Sequence, residues 1–361
     1  MSGAGGGGRL VPRGVEVPFR PMSISEMLDC AIAGIRYRPR TVLGLSVAIS
    51  TVVQVLGSVL AYYFIGQQAR GEVTPRVLIR SVGAQATLGA IDMVLTAFGI
   101  LVLAGILAPV LARTMFGLDI SLGQAWQDAR PRFWRLLLMA FVVLVVSLAA
   151  LAVPLLPFSL ALAGGAHPAL GVLSALFGIP VGLLLMVWVY VMLVQSLPAL
   201  VLERQGIGGA LTRARRLSKG RWWRTFGTLL LAMLVTVFMG FFALRIPFLI
   251  AQLVLFGGSG SGSDQLLPAL ALDTVGRIVS WSIVLPFDAG VIALLYMDRR
   301  MRREGLDLDL ATRPTPESDD GFFDLWRPTA TPSRPVFVPP LAPNAPPVGP
   351  APGTPYRQGA P

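Results

Sequence analysis

The residue types that most often carry chemistry are scarce and isolated in this chain. The sequence has one cysteine, Cys30, and one histidine, His167. A lone cysteine cannot form an intrachain disulfide or a cysteine-based metal site, and a lone histidine leaves no pair of imidazoles for acid–base catalysis or metal binding. The sequence therefore predicts a protein that is not an enzyme and that holds no metal and no cofactor.

One carboxylate is placed where it could act within a membrane. Asp288 falls inside an apolar segment at 278–297, about 14 Å from its inner end at 1.5 Å per residue. Ionisable groups at that depth are costly and are candidates for function. Asp288 is either a protonated or hydrogen-bonded carboxyl facing the interior of a helix bundle, or a coupling or substrate site. Its candidate neighbours are Gln54, Gln195 and Gln252.

Other charged residues flank the apolar segments and have simpler interpretations. Arg245 and Asp92 fall near the outer ends of their segments, where a long arginine side chain can reach the interface. Asp273 and Arg277 are four residues apart on one predicted helix and could pair with each other. Glu203 precedes a strongly basic stretch, and we expect it to pair with nearby arginines rather than to act as a catalytic acid.

Positive charge is densest between Val201 and Gly227, a stretch that lies between two long apolar segments and contains an aromatic pair. At an inner membrane face, such a segment can meet anionic headgroups with its cations and place its tryptophans at the interface. We predict that it binds anionic lipid or a cytoplasmic partner, and the alternative is that it only caps the bundle and sets its orientation. The candidate residues are Arg213, Arg215, Arg216, Lys219, Arg221, Trp222, Trp223 and Arg224.

The composition places most of the chain in lipid. Of the 361 residues, 54% are hydrophobic and only 14% are charged, whereas soluble domains have about 25% charged residues. The mean hydropathy is +0.68. The net charge of +11 would suit nucleic acid, but the basic residues lie in the gaps between apolar segments and form no patch on a soluble fold. Nucleic acid is therefore not a predicted partner.

Six apolar segments are each near the roughly 20 residues needed to cross the hydrocarbon core. We place them at 41–65, 88–111, 136–157, 174–199, 225–245 and 278–297. Basic residues concentrate in alternate connections, and basic connections stay on the cytoplasmic side. Both termini are therefore predicted to be cytoplasmic. The strong preference for arginine over lysine suggests a GC-rich bacterial genome, and hence a bacterial cell membrane.

A short amphipathic helix is predicted before every second span. Apolar residues follow helical spacing over 24–35, 122–133 and 207–214. The first two helices begin with capping-box patterns at Ser23 and Ser121. The predicted fold is therefore all-α, a polytopic membrane protein with six transmembrane helices, built from three repeated units of one interfacial helix and one transmembrane hairpin. The apolar stretch at 246–256 is either re-entrant or interfacial.

Composition divides the chain into three regions. Residues 1–20 are Gly- and Arg-rich and are predicted to be disordered, 21–311 form the six-helix membrane domain, and 312–361 form a disordered, Pro-rich tail. The tail contains PxxP spacings between 332 and 343, which favour polyproline II. An acidic–aromatic island at 317–326 could instead dock on a partner or on the basic inner surface of the bundle.

Four stretches together resemble the bacterial family of glycerophosphoryl diester phosphodiesterase membrane domains. They are PMSISEMLD at 21–29, SLGQAWQDARPRFWRLL at 121–137, the basic stretch at 201–227, and ALLYMDRRMRREGLDLDL at 293–310. The resemblance covers roughly 20–311 and implies a membrane part, which in some relatives precedes a catalytic barrel and in many stands alone. The stretch after the sixth span is far shorter than a barrel of about 250 residues. The resemblance therefore implies no diesterase activity here.

Two functional classes follow from these observations. The first is a non-enzymatic integral membrane protein acting as a scaffold, a lipid-associated protein or a component of an envelope complex. The alternative is a transporter or permease-like protein for an unknown substrate, with a mid-membrane polar site near Asp288. The predicted partners are anionic lipids of the inner leaflet and a protein that contacts the C-terminal tail.

Overall fold

The computed structural model of the chain describes residues 20–66, 75–116, 118, 120–165, 167, 169–256, 263–306, 308 and 319–327. Within these ranges the chain is helical apart from short turns and contains no strand. The predicted N-terminal tail and most of the predicted C-terminal tail lie outside the described residues.

Fourteen α-helices follow one another in the described ranges. They are α1 (Ile24–Tyr37), α2 (Pro39–Gly66), α3 (Pro75–Met115), α4 (Leu122–Ala129), α5 (Phe133–Ala152), α6 (Leu156–Ala163), α7 (Ala169–Leu173), α8 (Ile179–Leu193), α9 (Ser196–Leu202), α10 (Ile207–Ser218), α11 (Trp222–Val237), α12 (Ile246–Phe256), α13 (Ser263–Glu304) and α14 (Asp319–Phe322). Two 3₁₀ segments, Arg130–Arg132 and Phe323–Trp326, and two π-helical segments, Ser174–Gly178 and Phe238–Arg245, adjoin them.

Six helical stretches are long and apolar enough to cross a membrane. They are Pro39–Tyr63, Ala86–Met115, Leu122–Ala152, Gly171–Leu202, Trp222–Gly240 and Leu270–Glu304. Each overlaps one predicted segment, so the prediction of an all-α protein with six candidate spans is confirmed. The third stretch begins earlier than predicted because α4 runs through a 3₁₀ turn into α5. The three predicted interfacial helices are present as α1, α4 and α10, and their equivalence as repeats stays a prediction.

Side-chain caps explain where α1 and α4 begin. The Ser23 hydroxyl accepts the backbone N–H of Glu26 at 3.2 Å, and the Glu26 carboxylate accepts the backbone N–H of Ser23 at 2.8 Å. Ser121 and Gln124 make the same reciprocal pair at 3.2 and 3.0 Å. Each pair satisfies two amides of a first helical turn, as the sequence pattern predicts.

Helix α13 is the centre of the bundle. It packs against α1, α2, α3, α9, α10, α11 and α12. Every residue from 289 to 300 is buried, although this range ends in the charged run Asp298, Arg299 and Arg300. A helix that is buried on all sides needs partners for its polar groups. Asp298, Arg299 and Arg300 are therefore expected to bond to the helices that surround this end of α13.

Helix α12 continues directly from the fifth span through the π-helical segment. Phe248 on α12 packs against α13, where a Cβ added to Gly276 would lie 2.7 Å from the Phe248 ring. The stretch at 246–256 is thus a helix lying along the sixth span. At this end Arg245 pairs with Asp273, and Arg277 bonds Asp273 at 3.0 Å, so the predicted pairing of Asp273 with Arg277 is confirmed. Arg277 also lies 2.8 Å from Asp92.

One part of the predicted C-terminal tail is folded. Asp319–Trp326 forms a turn of α-helix followed by a 3₁₀ turn, and Phe322, Phe323, Leu325 and Trp326 are buried. The prediction of a disordered tail from 312 is wrong for these residues. The reason is that their aromatic surface finds apolar and cationic partners on the bundle, which is the docking considered as the alternative. The compact unit that contains the bundle ends at Trp326.

Candidate functional site at the basic end of the bundle

The end of the bundle that carries α1, α4, α10 and the last turns of α13 holds most of the charged contacts, and we call it the basic end. Its structure is organised by Glu203, whose side chain is fully buried. Glu203 Oε1 accepts the Tyr296 hydroxyl at 2.5 Å and Nε of Arg213 at 2.9 Å. Gln205 donates to Oε2 at 2.7 Å. The expectation that Glu203 pairs with nearby arginines is therefore confirmed.

Glu304 provides a second carboxylate to the same network. It accepts Nη2 of Arg213 at 2.5 Å and Nε of Arg300 at 3.0 Å. Burial opposes the charged form of Arg213, but the carboxylates of Glu203 and Glu304 outweigh it and raise the pKa of Arg213 above its ordinary value. Arg213 thus serves as an internal tie between α10 and α13.

Asp298 fastens the segment before α1 to α13. Its carboxylate accepts the backbone N–H of Met22 at 3.0 Å and Nε of Arg302 at 2.9 Å on both oxygens. The carbonyl of Met22 accepts Nη2 of Arg302 at 2.7 Å and Nη2 of Arg224 at 2.6 Å. Arg224 is therefore engaged within the protein.

Arg299 supports the start of α11. Its side chain is buried, and Nη2 donates to the carbonyl of Arg221 at 3.1 Å and to the Thr225 hydroxyl at 2.6 Å. This contact fixes the turn that carries Trp222 and Trp223. A buried basic residue of α13 thereby positions the half-buried Trp222 and the exposed Trp223.

Cations of the basic end hold the folded part of the tail. The guanidinium of Arg113 lies 4.4 Å from the ring centroid of Phe322, and that of Arg204 lies 4.2 Å from the centroid of Phe323. Phe116 meets Phe322 edge to face, with centroids 6.1 Å apart. In contacts of this kind, the ring is attracted electrostatically to the cation, and its apolar surface is buried as well.

The positions of these two arginines are set by the bundle in different ways. Arg113 donates Nε to Asp128 at 3.0 Å. Arg204 has a positive φ of 51°, a conformation that is uncommon for residues other than glycine. The backbone turn at Arg204 separates α9 from α10 and directs its guanidinium over Phe323. The island therefore contacts residues that the basic end already holds in place.

The six cations among the eight candidate residues divide into two groups. Arg213 and Arg224 make the internal bonds described above. Four cations have exposed side chains with no hydrogen-bond or ion-pair partner among the described residues, namely Arg215, Arg216, Lys219 and Arg221. The backbone carbonyls of Arg216 and Lys219 accept bonds from Arg303, which holds the end of α10 on α13. Contact of these four cations with lipid stays a prediction.

The aromatic pair is oriented differently at its two positions. Trp222 stacks on Phe226 with ring centroids 5.1 Å apart, and its indole N–H donates to the carbonyl of Trp188 at 3.4 Å. Trp223 is 77% exposed. One ring therefore joins α11 to α8, and the other is free to contact the membrane interface.

Asp288 makes one hydrogen bond, from the Thr236 hydroxyl on α11 at 2.7 Å, and is half-buried. Its bonding partner is thus a threonine and not one of the glutamines considered from the sequence. Gln54 and Gln195 are buried, and their amide groups have no hydrogen-bond partner in the described ranges. The structure brings none of the candidate residues of the basic end to Asp288.

A polar stripe on α2 was missed by the sequence reasoning. Ser46, Ser50, Gln54 and Ser58 recur at every fourth position and lie on the inward face of the helix. Ser58 shares a hydrogen bond with Thr274 of α13 at 2.7 Å. The four-residue spacing within an otherwise apolar helix was the available signal, since polar side chains at helix interfaces in lipid bond across to neighbours.

No family model, curated protein or solved structure matches the chain. The resemblance to the membrane domain of glycerophosphoryl diester phosphodiesterases stays a prediction. In the part of the chain that the structure describes, no group of three or more His, Cys, Asp or Glu residues could hold a metal ion. The contacts of the basic end are therefore the observations that bear on function.

Proposed function

We propose that this chain is a non-enzymatic scaffold of the bacterial cell membrane, whose helical bundle holds the C-terminal tail at the cytoplasmic membrane surface for a protein partner. The observation that carries the proposal is the burial of the described part of the island, residues 319–326, on the basic end. The island ties a Pro-rich sequence to the membrane part, and that sequence has no other feature of a folded domain.

The contacts of the island support its role as the point of attachment. A cation–π contact contributes about 0.5–2 kcal/mol, and the island makes two, with Arg113 and Arg204. Burial of a side chain as large as Phe322 contributes about 1.5–3 kcal/mol more. Arg300 adds a charge-assisted hydrogen bond to the carbonyl of Trp326 at 2.7 Å. These terms offset part of the backbone entropy lost on ordering the eight residues, about 8–16 kcal/mol in total, and the burial of Phe323, Leu325 and Trp326 adds to them.

The sequence after the island supports a protein partner that binds polyproline II. The PxxP spacings between 332 and 343 favour polyproline II, which binds to aromatic-lined grooves at low entropic cost. The first such motif begins six residues after Trp326 in the sequence. The partner is therefore expected to be a cytoplasmic or membrane-associated protein with such a groove.

The packing of the bundle supports a structural role. All residues of α13 from 289 to 300 are buried, and the carboxylates of Glu203 and Asp298 are bonded within the protein. A buried charge network of this kind leaves few groups at the basic end for binding a solute. The exposed cations of α10 are then available for anionic headgroups, which attract each basic group by about 1 kcal/mol.

Crosslinking in native membranes tests the scaffold. A photoreactive residue at position 333 of the full chain should capture one protein reproducibly, and the double change Pro332→Ala and Pro335→Ala should abolish the capture. The matched control is Pro340→Ala with Pro343→Ala, which tests whether the first motif alone is used. Absence of a reproducible partner along 328–361 would contradict the scaffold.

A transporter is the second candidate because of the surroundings of Asp288. Its partner Thr236 lies just before the π-helical segment Phe238–Arg245, and short π-helical segments are frequent at functional sites. Flux of candidate solutes through proteoliposomes tests this alternative. A flux abolished by Asp288→Asn and retained in Asp92→Asn would favour the transporter over the scaffold.

A further inference from the structure

A groove opens on the surface of the bundle beside α10. It has a volume of about 240 Å³ and is lined by α5, α8 and α10. The lining residues are Val142, Val146, Trp188, Val189, Met192, Leu193, Leu211 and Arg215. Seven of these side chains are apolar, so the groove is suited to a hydrocarbon chain rather than to a polar solute.

The groove extends from the basic end into the membrane. Val142 and Val146 are nine and thirteen residues beyond Phe133, the first residue of α5, which is about 14–20 Å at 1.5 Å per residue. Half of a hydrocarbon core of about 30 Å is about 15 Å. The α5 residues of the groove are therefore expected to lie within the hydrocarbon core.

A single unpaired cation marks the shallow end of the groove. Arg215 is exposed and has no hydrogen-bond or ion-pair partner among the described residues. The groove is lined by no carboxylate. Lys219, the residue that caps the C-terminus of α10, follows Arg215 by four positions. Helix α10 itself contains no acidic residue. The charge at this end is therefore positive, and no described residue of the lining or of α10 compensates it.

Neighbouring contacts keep the groove in shape. The Ser218 hydroxyl donates to the carbonyl of Met192 at 3.4 Å, which holds the end of α10 against α8. The Trp222 indole donates to the carbonyl of Trp188 and places an aromatic ring beside the opening. A tryptophan at this depth is typical of the headgroup level. The opening, the cation and the interface thus coincide.

We propose that this groove binds one anionic phospholipid, with an acyl chain along Val142, Val146 and Met192 and the phosphate at Arg215. The inference rests on the membrane-bound, lipid-contacting role proposed above, and it adds a site to the general attraction of the basic helix. Phosphatidylglycerol fits because its phosphate carries the only full charge of its headgroup. A zwitterionic lipid places a second, positive charge near Arg215 and is disfavoured.

Native mass spectrometry of the full chain tests the site. The protein is purified in mild detergent and mixed with equal amounts of phosphatidylglycerol and phosphatidylcholine that have identical acyl chains. The wild type should retain one phosphatidylglycerol in preference, and Arg215→Gln should lower its retention about fivefold, which corresponds to about 1 kcal/mol for one basic group. Arg216→Gln is the matched control, since Arg216 is exposed on the same helix and does not line the groove.

A second pair of variants tests the acyl chain. Val146→Trp should fill the groove and lower retention, whereas Val145→Trp should not, because Val145 is equally exposed on α5 but lies outside the lining. Equal retention of the two lipids, or equal effects within either pair of variants, would overturn the proposal. Displacement of the bound lipid by soluble glycerol phosphate would also overturn it, since a headgroup alone would then suffice.

The scaffold and the lipid site fail independently. Loss of all tail crosslinks with a preserved lipid preference would reject the scaffold and retain the site. Tail crosslinks that persist while Arg215→Gln and Arg216→Gln behave alike would reject the site and retain the scaffold.

Discussion

Arg300 joins the sixth span to the folded part of the tail through one hydrogen bond, from its Nη1 to the carbonyl oxygen of Trp326 at 2.7 Å. The same guanidinium donates Nε to Glu304 at 3.0 Å and lies 3.6 Å from Glu203. The island is therefore bonded to a residue whose orientation the buried network already sets. Changes in the network and changes in the island are expected to affect each other.

Removal of the Trp326 side chain should release the island from the bundle. Trp326→Ala loses a fully buried aromatic group, and such a loss typically costs about 3–5 kcal/mol. We expect the cost to reduce the free energy with which the island docks on the bundle, and not the free energy of unfolding of the bundle. Hydrogen exchange of residues 319–326 should become as fast as in an unstructured peptide. Leu308→Ala is the control, because Leu308 is 71% exposed. Unchanged protection in Trp326→Ala would show that this burial does not hold the island.

Neutralisation of Glu203 should destabilise the basic end. Glu203→Gln leaves Arg213 and Arg300 with less compensating charge in a buried site, and breaking one partner of a buried pair costs about 3–5 kcal/mol. Thermal unfolding in detergent should shift downward by several degrees. Asp29→Asn removes an exposed carboxylate on α1 and should leave the midpoint unchanged. Equal midpoints for both variants would contradict a central role for Glu203.

The cap of α1 should weaken in acid. The backbone N–H of Ser23 and, to a lesser degree, Arg20 stabilise the Glu26 carboxylate and lower its pKa below the ordinary value of 4.5. The cap is therefore fully present above pH 4.5 and is lost as the pH falls through the lower folded value. Amide exchange in the first turn of α1 should accelerate over that acid range. Glu26→Gln, which keeps the bonding geometry without the charge, should remove the pH dependence.

The close approach of α5 and α8 should depend on a glycine. A Cβ at Gly182 would lie 2.5 Å from the backbone oxygen of Leu151, so Gly182→Ala must separate the two helices. We expect a loss of about 1–3 kcal/mol, as for other overpacked sites. Gly227→Ala is the matched control, since a Cβ there meets nothing within 4 Å. A lower unfolding midpoint in both variants would point to a general effect of alanine and against the contact.

Local patterns in the sequence were sufficient for the helices and insufficient for most of the site. Hydrophobic length predicted the six spans, and the Ser23 and Ser121 patterns predicted two helix starts, because both signals act over a few residues. The pair of Arg113 with Phe322 joins residues more than two hundred positions apart, and no spacing rule relates them. Only the folded bundle shows that Arg213 is bonded internally and Arg215 is not.

The folded tail shows the same limit from the other direction. A Pro-rich composition predicts disorder because such a chain buries too little apolar surface by itself. The aromatic island is nevertheless ordered because its rings pack against Arg113, Phe116 and Arg204 of the bundle. Composition describes a segment alone, whereas its order depends on what lies next to it.

The position of α13 has a consequence for biogenesis. This helix follows the other five candidate spans in the sequence, yet it packs against helices as early as α1 and α2. Domains made earlier during synthesis normally fold first. We therefore expect the earlier spans to enter the bilayer without the helix around which they assemble, so that assembly waits for the synthesis of α13. Chains truncated before Ser263 should be inserted but remain loosely associated, and they are expected to be substrates for membrane proteases.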